Sequence, residues 1–332
     1  MAEADSARLL ELIFGGVRAK AVYAAAKLGL ADELADGPLT VDELALRVDA
    51  QPEPLRLLLR VLTREGLFEE LRPRTFVLTS LGRLLAEDAA GSRKYDALMF
   101  GEHVDRAFRY VVDSLRTGRP SDERAFGRPY FDWLNQEPEA AAVFNKAMTG
   151  GARGALPTLL PLPFWSEVTS VVDVGGGNGT ILAALLDAHP HLRGIVFDLP
   201  HAEEAANALF AAEGLADRAT FDAGSFFERV PAGVDVYLAV QVLHNWGDAE
   251  ALRILRRVRE AADAETRLLL IEVVIPDDDA TGSGLANLVS FVLLGGKERT
   301  EAEWRELLAR GGFGLERVSP GSRVSALEAR PD

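Results

Sequence analysis

Residues 171–180 read Val-Val-Asp-Val-Gly-Gly-Gly-Asn-Gly-Thr, an apolar run that carries one aspartate into a cluster of glycines. Such a run is expected to end a buried strand, turn sharply and open a helix at 181–188. Glycine permits the turn and lets a ligand approach the N–H groups at the helix start. Roughly twenty residues on, Phe197-Asp198 closes the next apolar run, where a carboxylate can accept hydrogen bonds from both hydroxyls of a ribose. The spacing departs from that of a dinucleotide site, because counting from Gly175 the place of the third glycine falls on Thr180. Asp173, directly ahead of the loop, would repel a pyrophosphate and attract an ammonium group. These residues point to nucleoside binding, with a tight strand-to-helix turn as the structural alternative.

Proton chemistry has few candidates, since the chain holds five histidines, at 103, 189, 191, 201 and 244. His189 and His191 flank Pro190 in a polar turn and are expected in solvent. His201, after Pro200, suits a surface or capping role, and His103 either faces a ligand or lies partly exposed on a helix. His244 follows the apolar run 234–240, at the carboxyl edge where open α/β sheets bind ligands. Glu272 stands in the otherwise apolar stretch 268–274, and a buried carboxylate needs a partner. Orienting His244 would give it one; a structural salt bridge is the alternative.

The elements that must hold these residues follow from periodicity. After Trp165, short β-branched runs at 170–174, 194–197, 219–222, 234–240 and 267–274 alternate with helical stretches, which argues for βαβ units and a parallel sheet. The chain closes with runs at 314–318 and 323–328, an expected antiparallel hairpin. Residues 6–35 are helical in pattern, with Gly15-Gly16 as an expected interruption, and are apolar on more than one face, which suggests a partner chain. Thr40 and Glu43 form a capping box. A helix at 55–65 is stopped by Gly66, and a short hairpin follows about residues 72–74. Helix, helix, hairpin is a winged-helix layout. Residues 81–160 read as mostly helical, and the glycines and prolines between 150 and 163 mark a joint. The expected domains are 1–160 and 161–332.

Composition narrows the function. A net charge of −15 repels a polyanion on average, so nucleic acid is not the expected partner. The helix at 55–65 does carry Arg56, Arg60 and Arg64, which keeps a DNA-binding regulator as a rival reading. No apolar run approaches the ~20 residues needed to span a bilayer, so no membrane partner is expected. The N-terminus lacks the basic-then-apolar pattern of a signal peptide, and cysteine is absent. A cytoplasmic location is expected.

Five motifs then occur in order: VVDVGGGNG at 171–179, FDLP at 197–200, GSFFERVP at 224–231, VLHNWGD at 242–248 and GGKERT at 295–300. With them the chain resembles, over nearly its whole length, the plant-type and actinobacterial S-adenosylmethionine-dependent O-methyltransferases that act on phenols and aromatic polyketides. The resemblance implies a Rossmann-like class I methyltransferase domain behind a mostly helical, winged-helix-like dimerisation domain. It implies a homodimer formed through the N-terminal helices, and methyl transfer by in-line displacement to a small-molecule acceptor, as in antibiotic biosynthesis. Asp173, Gly175 and Gly177 would line the methionine end of the cofactor, Asp198 the ribose, and Gly224, Ser225 and Phe226 the adenine. Gln241 would face cofactor or substrate. His244 falls on the general base, with Glu272 and Glu298 as the acids framing it. Met148 and Phe291 match pocket positions, and His103, Phe144, Asn287 and Leu294 join them as acceptor-lining candidates. Ser225 and Asn245 depart from the pattern, which often has aspartate at both places. No metal is expected, since Asp277-Asp278-Asp279 reads as an exposed acidic loop. Two further rivals stay open: a nicotinamide-dependent oxidoreductase, and a same-fold enzyme with non-methylating chemistry.

Overall fold

The computed structural model describes residues 2–276 and 284–332, so the acidic run at 277–279 lies outside the described residues. The chain divides into two compact units, Met1–Arg106 and Ala107–Asp332. The division therefore falls well before residue 160. The reason is packing: Ala155, Leu159, Leu162 and Trp165 bury in the same core as Val171 and Leu238 of the sheet. The joint at 150–163 is a change of pattern inside one unit.

In the first unit, the helix Ala2–Lys27 runs through Gly15-Gly16 unbroken, where an interruption was expected. Two glycines cost a helix interior only ~1 kcal/mol each, which the long flanking turns offset. Leu9, Leu10, Leu12, Ile13, Phe14 and Val17 of this helix are all more than half exposed. The Thr40 capping box forms: Thr40 Oγ1 accepts from the Glu43 N–H at 3.2 Å, and Glu43 Oε2 accepts from the Thr40 N–H at 2.8 Å. It opens the helix Val41–Arg47. The helix Pro52–Arg64 buries Leu55, Leu59 and Leu62 on one face. Strands β1 (Leu39–Thr40), β2 (Phe68–Arg72) and β3 (Thr75–Leu78) pair antiparallel in the order β1-β3-β2. The layout is a winged helix.

The second unit is built on β4 (Ser170–Val174), β5 (Arg193–Asp198), β6 (Ala219–Ala223), β7 (Val236–Val240) and β8 (Arg267–Glu272). Two short strands follow, β9 (Val274–Ile275) and β10 (Arg299–Thr300), and then β11 (Phe313–Pro320) and β12 (Ser325–Pro331). The large sheet has the order β11-β12-β8-β7-β4-β5-β6, parallel from β8 to β6 and closed by the antiparallel β12. Alternate residues of β8 feed different cores: Leu269 and Ile271 on one face, Leu268 and Leu270 on the other. A sheet buried on both faces explains the near-continuous apolar strands. The run expected at 267–274 breaks at Val273. Beyond the break, β9 leaves the large sheet and pairs in parallel with β10, which brings the segment carrying Glu298 and Arg299 to the end of β8.

Candidate active site

The chain turns back at β4, whose neighbours β5 and β7 lie on opposite sides of it. That is the switch point at which open α/β sheets hold ligands, outside the carboxyl ends of the strands. The glycine loop leaves β4 here. Gly175 takes φ +74°, and a Cβ there would lie 2.9 Å from Val242 Cγ2; Gly177 takes φ +56°, and a Cβ there would meet nothing within 4 Å. Gly175 is thus glycine for its turn and its close packing, whereas Gly177 borders open space.

Two carboxylates flank this loop. Asp198 ends β5; its Oδ2 accepts from the Gly177 N–H at 2.7 Å and its Oδ1 from the Leu199 N–H at 2.6 Å. Burial raises its carboxyl above the ordinary range, against the pull of those two N–H groups. Asp173 is 1% exposed, and neither of its oxygens has a hydrogen-bond partner among the described residues. Burial, reinforced by Asp198, pushes its carboxyl up to about 7. A buried carboxyl left without partners is costly, and a cationic ligand group would complete it. The residues present therefore fit the ammonium-bearing nucleoside that the sequence implies.

Around the loop, the Gly224 N–H donates to the Asp198 carbonyl at 2.9 Å, and a Cβ on Gly224 would strike the Phe197 ring at 2.7 Å. Ser225 Oγ accepts from the Phe227 N–H at 3.3 Å, so its side chain shapes the turn. The Phe226 and Phe227 rings stand edge-on to Trp246, with centroids 5.9 and 4.8 Å away. Gln241, just past β7, holds φ +53°. Its N–H donates to the Ile271 carbonyl at 2.8 Å, and its own carbonyl accepts from Asn245 Nδ2 at 3.3 Å. A non-glycine residue held at such φ costs ~1–3 kcal/mol, and such residues cluster at active sites, although Asp49 and Arg74 of the first unit share the conformation.

After Gln241 the chain makes the 3₁₀ turn Leu243–Asn245. His244 Nδ1 lies 3.0 Å from Glu298 Oε1, and the imidazole is 19% exposed against 4% for the carboxylate. With the Nδ1 proton donated to Glu298, Nε2 carries the lone pair. The Glu298 N–H donates to Asn287 Oδ1 at 3.1 Å. Glu272 is fully buried, but its Oε1 accepts from the Leu243 N–H at 2.8 Å. It acts on His244 through the backbone of the turn rather than through a hydrogen bond to the imidazole ring, and its charge faces that ring. Burial, reinforced by Glu298 and opposed by His244, pushes the Glu272 carboxyl up to about 7. For His244 burial disfavours the charged ring, but the Glu298 hydrogen bond and the charges of Glu272 and Glu298 outweigh it, and the ring ends above its ordinary value. Arg299 is fully buried beside this pair and opposes His244 protonation. Sequence reasoning passed over it, although the GGKERT motif held it next to Glu298.

The acceptor candidates fall into separate groups. Asn287 and Phe291 line a cavity of about 460 Å³ with Gly247, Asp248, Leu288 and Lys297. Leu294 is half-buried at the end of the same helix, Gly284–Leu294. Phe144 and Met148 lie on the helix Pro138–Ala152, outside that lining. Phe144 packs edge-on to Tyr130 and Phe131, while Met148 is 40% exposed. Thr149 of that helix accepts from Asn178 Nδ2 at 3.1 Å, which ties it to the glycine loop. His103 belongs to the first unit, in the π-helical turn Phe100–Val104. It is 2% exposed, so it is not the partly exposed helix residue that sequence allowed. Burial pushes it down to about 4.

The other histidines make structural contacts. His201 Nδ1 meets Asn135 Oδ1 at 2.8 Å, and His189 and His191 meet the Leu160 and Trp165 carbonyls at 3.2 and 2.9 Å. His191 is exposed, as expected, and His189 is half-buried; each ring also contacts a backbone carbonyl. Among the described residues, no group of His, Asp and Glu is arranged to hold a metal ion, and no helix is long and apolar enough to cross a membrane.

Comparison with known proteins gives a consistent result. Residues 108–314 match the O-methyltransferase domain family, and residues 10–88 match the O-methyltransferase dimerisation domain family. A phenazine O-methyltransferase of Lysobacter antibioticus is 39% identical over 328 residues, covering 98% of this chain and 96% of that protein. An O-methyltransferase from neocarzinostatin biosynthesis was solved in complex with S-adenosylmethionine and 2-hydroxy-5-methyl naphthoic acid. It superposes with a TM-score of 0.86 at 35% identity, covering 95% of this chain and 96% of its own. An aclacinomycin 10-hydroxylase of Streptomyces purpurascens is 37% identical over 314 residues, covering 92% of this chain and 84% of that protein.

Proposed function

Because the chain belongs to the O-methyltransferase family and carries that family's dimerisation domain, we propose that it methylates a hydroxyl, phenolic in kind, of a small aromatic or polyketide natural product, with His244 as general base. The observation that carries the reading is the His244–Glu298 pair, 3.0 Å apart, at the same carboxyl edge of the sheet as the glycine loop. The cofactor is S-adenosylmethionine, which supplies an electrophilic methyl group on its sulfonium. Asp173 would hold its ammonium, Asp198 its ribose hydroxyls, and the turn at Gly224, Ser225 and Phe226 its adenine, with Gln241 facing cofactor or acceptor.

The acceptor must lose a proton as it is methylated. A free phenol has a pKa of ~10, so it is largely protonated at neutral pH. His244 Nε2 takes that proton, and Glu298 steadies the imidazolium as a carboxylate does in the hydrolase triads. Glu272 keeps the turn in place through the Leu243 N–H. His244 must start neutral, and its ring lies above the ordinary value of 6.5. Turnover therefore rises with pH through that titration. The acceptor lies among Asn287, Phe291, Phe144 and Met148 of the second unit. The exposed apolar row from Leu9 to Val17 is the surface of a homodimer, whose mass light scattering reads directly.

A second reading has one observation in its favour, the hydroxylase relative. The two separate by mass spectrometry of the product from S-adenosylmethionine and a panel of hydroxyphenazines and hydroxynaphthoates. Gain of a methylene unit supports methyl transfer, while gain of an oxygen atom, or loss of carbon without methylation, overturns it.

A further inference from the structure

We propose that Arg299 is a positioning residue for methyl transfer: its buried guanidinium joins the turn that carries His244 to the segment that carries Glu298 and fixes the distance between them. The inference rests on the reading of His244 and Glu298 as the base pair. Arg299 has no exposed surface, and its fork of N–H groups is engaged on several sides at once. Nε and Nη2 donate to Asp248 Oδ1 at 3.1 and 2.8 Å, and Nη2 also donates to the Trp246 carbonyl at 2.9 Å. Nη1 donates to the Leu243 carbonyl at 3.3 Å and to the Lys297 carbonyl at 3.1 Å. The guanidinium also sits 5.0 Å above the Trp304 ring.

The places of those acceptors carry the argument. Leu243 directly precedes His244, Trp246 follows it by two residues, and Lys297 directly precedes Glu298. One planar group thus holds the backbone on both sides of the base and on the near side of its carboxylate. The same two segments also meet directly, since the Lys297 N–H donates to the His244 carbonyl at 2.9 Å. Arginine presents five donors in a rigid fork, whereas lysine presents three about a single point, so a lysine cannot span the carbonyls of both segments and the carboxylate. A buried charge is a poor way to gain stability alone, because its desolvation offsets much of what its partners return.

Charge supplies a separate signature. The charged groups facing His244 are Glu298, Glu272 and Arg299, and the cation opposes ring protonation while the acids favour it. A change that removes the charge must shift the base, and one that keeps it while losing the fork must not.

The test compares Arg299→Lys and Arg299→Met with the wild-type enzyme, reading kcat and KM against pH. S-adenosylhomocysteine affinity by calorimetry and the His244 titration by NMR in the cofactor-free protein complete the set; five histidines keep that spectrum assignable. Arg299→Lys is expected to lower kcat by roughly 10²-fold, the scale of a displaced catalytic group, with S-adenosylhomocysteine affinity and the His244 titration held. Arg299→Met is expected to lower kcat similarly and to move the His244 titration and the acid limb of kcat to higher pH. Full kcat in Arg299→Lys overturns the proposal, as does a parallel loss of kcat and ligand affinity in variants that remain folded. If neither variant folds, Asp248→Asn loosens the fork from a half-exposed partner; a lower kcat at unchanged ligand affinity supports the proposal, and an unchanged kcat overturns it. His244→Ala is run alongside: near-normal turnover in that variant removes the base reading itself, whatever Arg299 does.

Discussion

The two ends of the site are built differently. At the glycine loop, Asp173 lies buried with both oxygens lacking a partner among the described residues, and Gly177 borders open space. At the base, the imidazole already has its carboxylate, the carboxylate segment has Asn287, and the turn has Glu272. The first region leaves a whole carboxylate open to what binds there; at the second, each acid has one oxygen engaged by its own chain, while Glu272 Oε2 and Glu298 Oε2 stay buried without a hydrogen-bond partner among the described residues. A polar group left open in the free protein loses stability until the ligand arrives, so affinity is expected to reside at the loop. A pair assembled in advance needs no reorganisation during the reaction, so rate is expected to reside at the turn.

Several substitutions would sharpen or break that division. The largest effect falls on rate: His244→Ala should lower kcat by ~10²–10⁴-fold, the usual contribution of a general base. Calorimetry should find its affinity for S-adenosylhomocysteine unchanged, and a loss of affinity in step with kcat would merge the two regions. Asp173→Asn should do the reverse. Losing a hydrogen-bonded charge of ~1.5–3 kcal/mol weakens ligand binding by about one to two powers of ten, while kcat at saturation holds.

The same carboxyl gives a pH signature. Its native value of about 7 lies above its ordinary 3.8, so the folded free protein binds a proton there that the unfolded chain does not. Stability from this group is full below the ordinary value and is lost as pH rises through about 7. Ligand affinity runs the other way, because only the ionised carboxyl attracts an ammonium. Asp173→Asn should therefore raise the Tm of the free protein near neutral pH, and calorimetry in buffers of different ionisation enthalpy should find proton release on binding to the wild type only. A lower Tm would mean that Asp173 is already satisfied without ligand. The smallest effect concerns the residue between the two ends. Gln241→Gly relieves a left-handed residue and should stabilise the fold by ~1–2 kcal/mol, at the expense of ligand affinity or acceptor KM. Thermal melts with binding measurements read both at once.

Much of this was legible in the sequence where the signal is local. The strand Ser170–Val174 and the Thr40 capping box occur where apolar runs and side-chain spacing put them. The glycine loop and Asp198 stand together because one strand separates them. Long-range pairing was not legible. Glu272 needed a partner, but that partner is a backbone N–H at Leu243, twenty-nine residues away. Arg299 reads as one charge between two others in Lys297-Glu298-Arg299-Thr300 until its carbonyl acceptors are brought around it. The helices after Arg106 looked like part of the first domain because helical periodicity says which face is buried but not against what. Gly15-Gly16 misled for the opposite reason: a local cost was read as decisive in a helix long enough to absorb it.

The short parallel pair of β9 and β10 has a consequence for how the enzyme can change. Val274 stands opposite Arg299 and Ile275 opposite Thr300, so a two-rung clasp closes just beyond Glu272 and just beyond Glu298. Everything between residues 276 and 298, including the helix Gly284–Leu294 with Asn287 and Phe291, starts and ends at that clasp. Lengthening a closed loop costs little, about 0.6 kcal/mol per doubling. Within it, the cavity-lining apolar positions of the helix Gly284–Leu294, Leu288 and Phe291, can be rewritten for a new acceptor, while Asn287, Lys297 and the acids at the clasp stay in register.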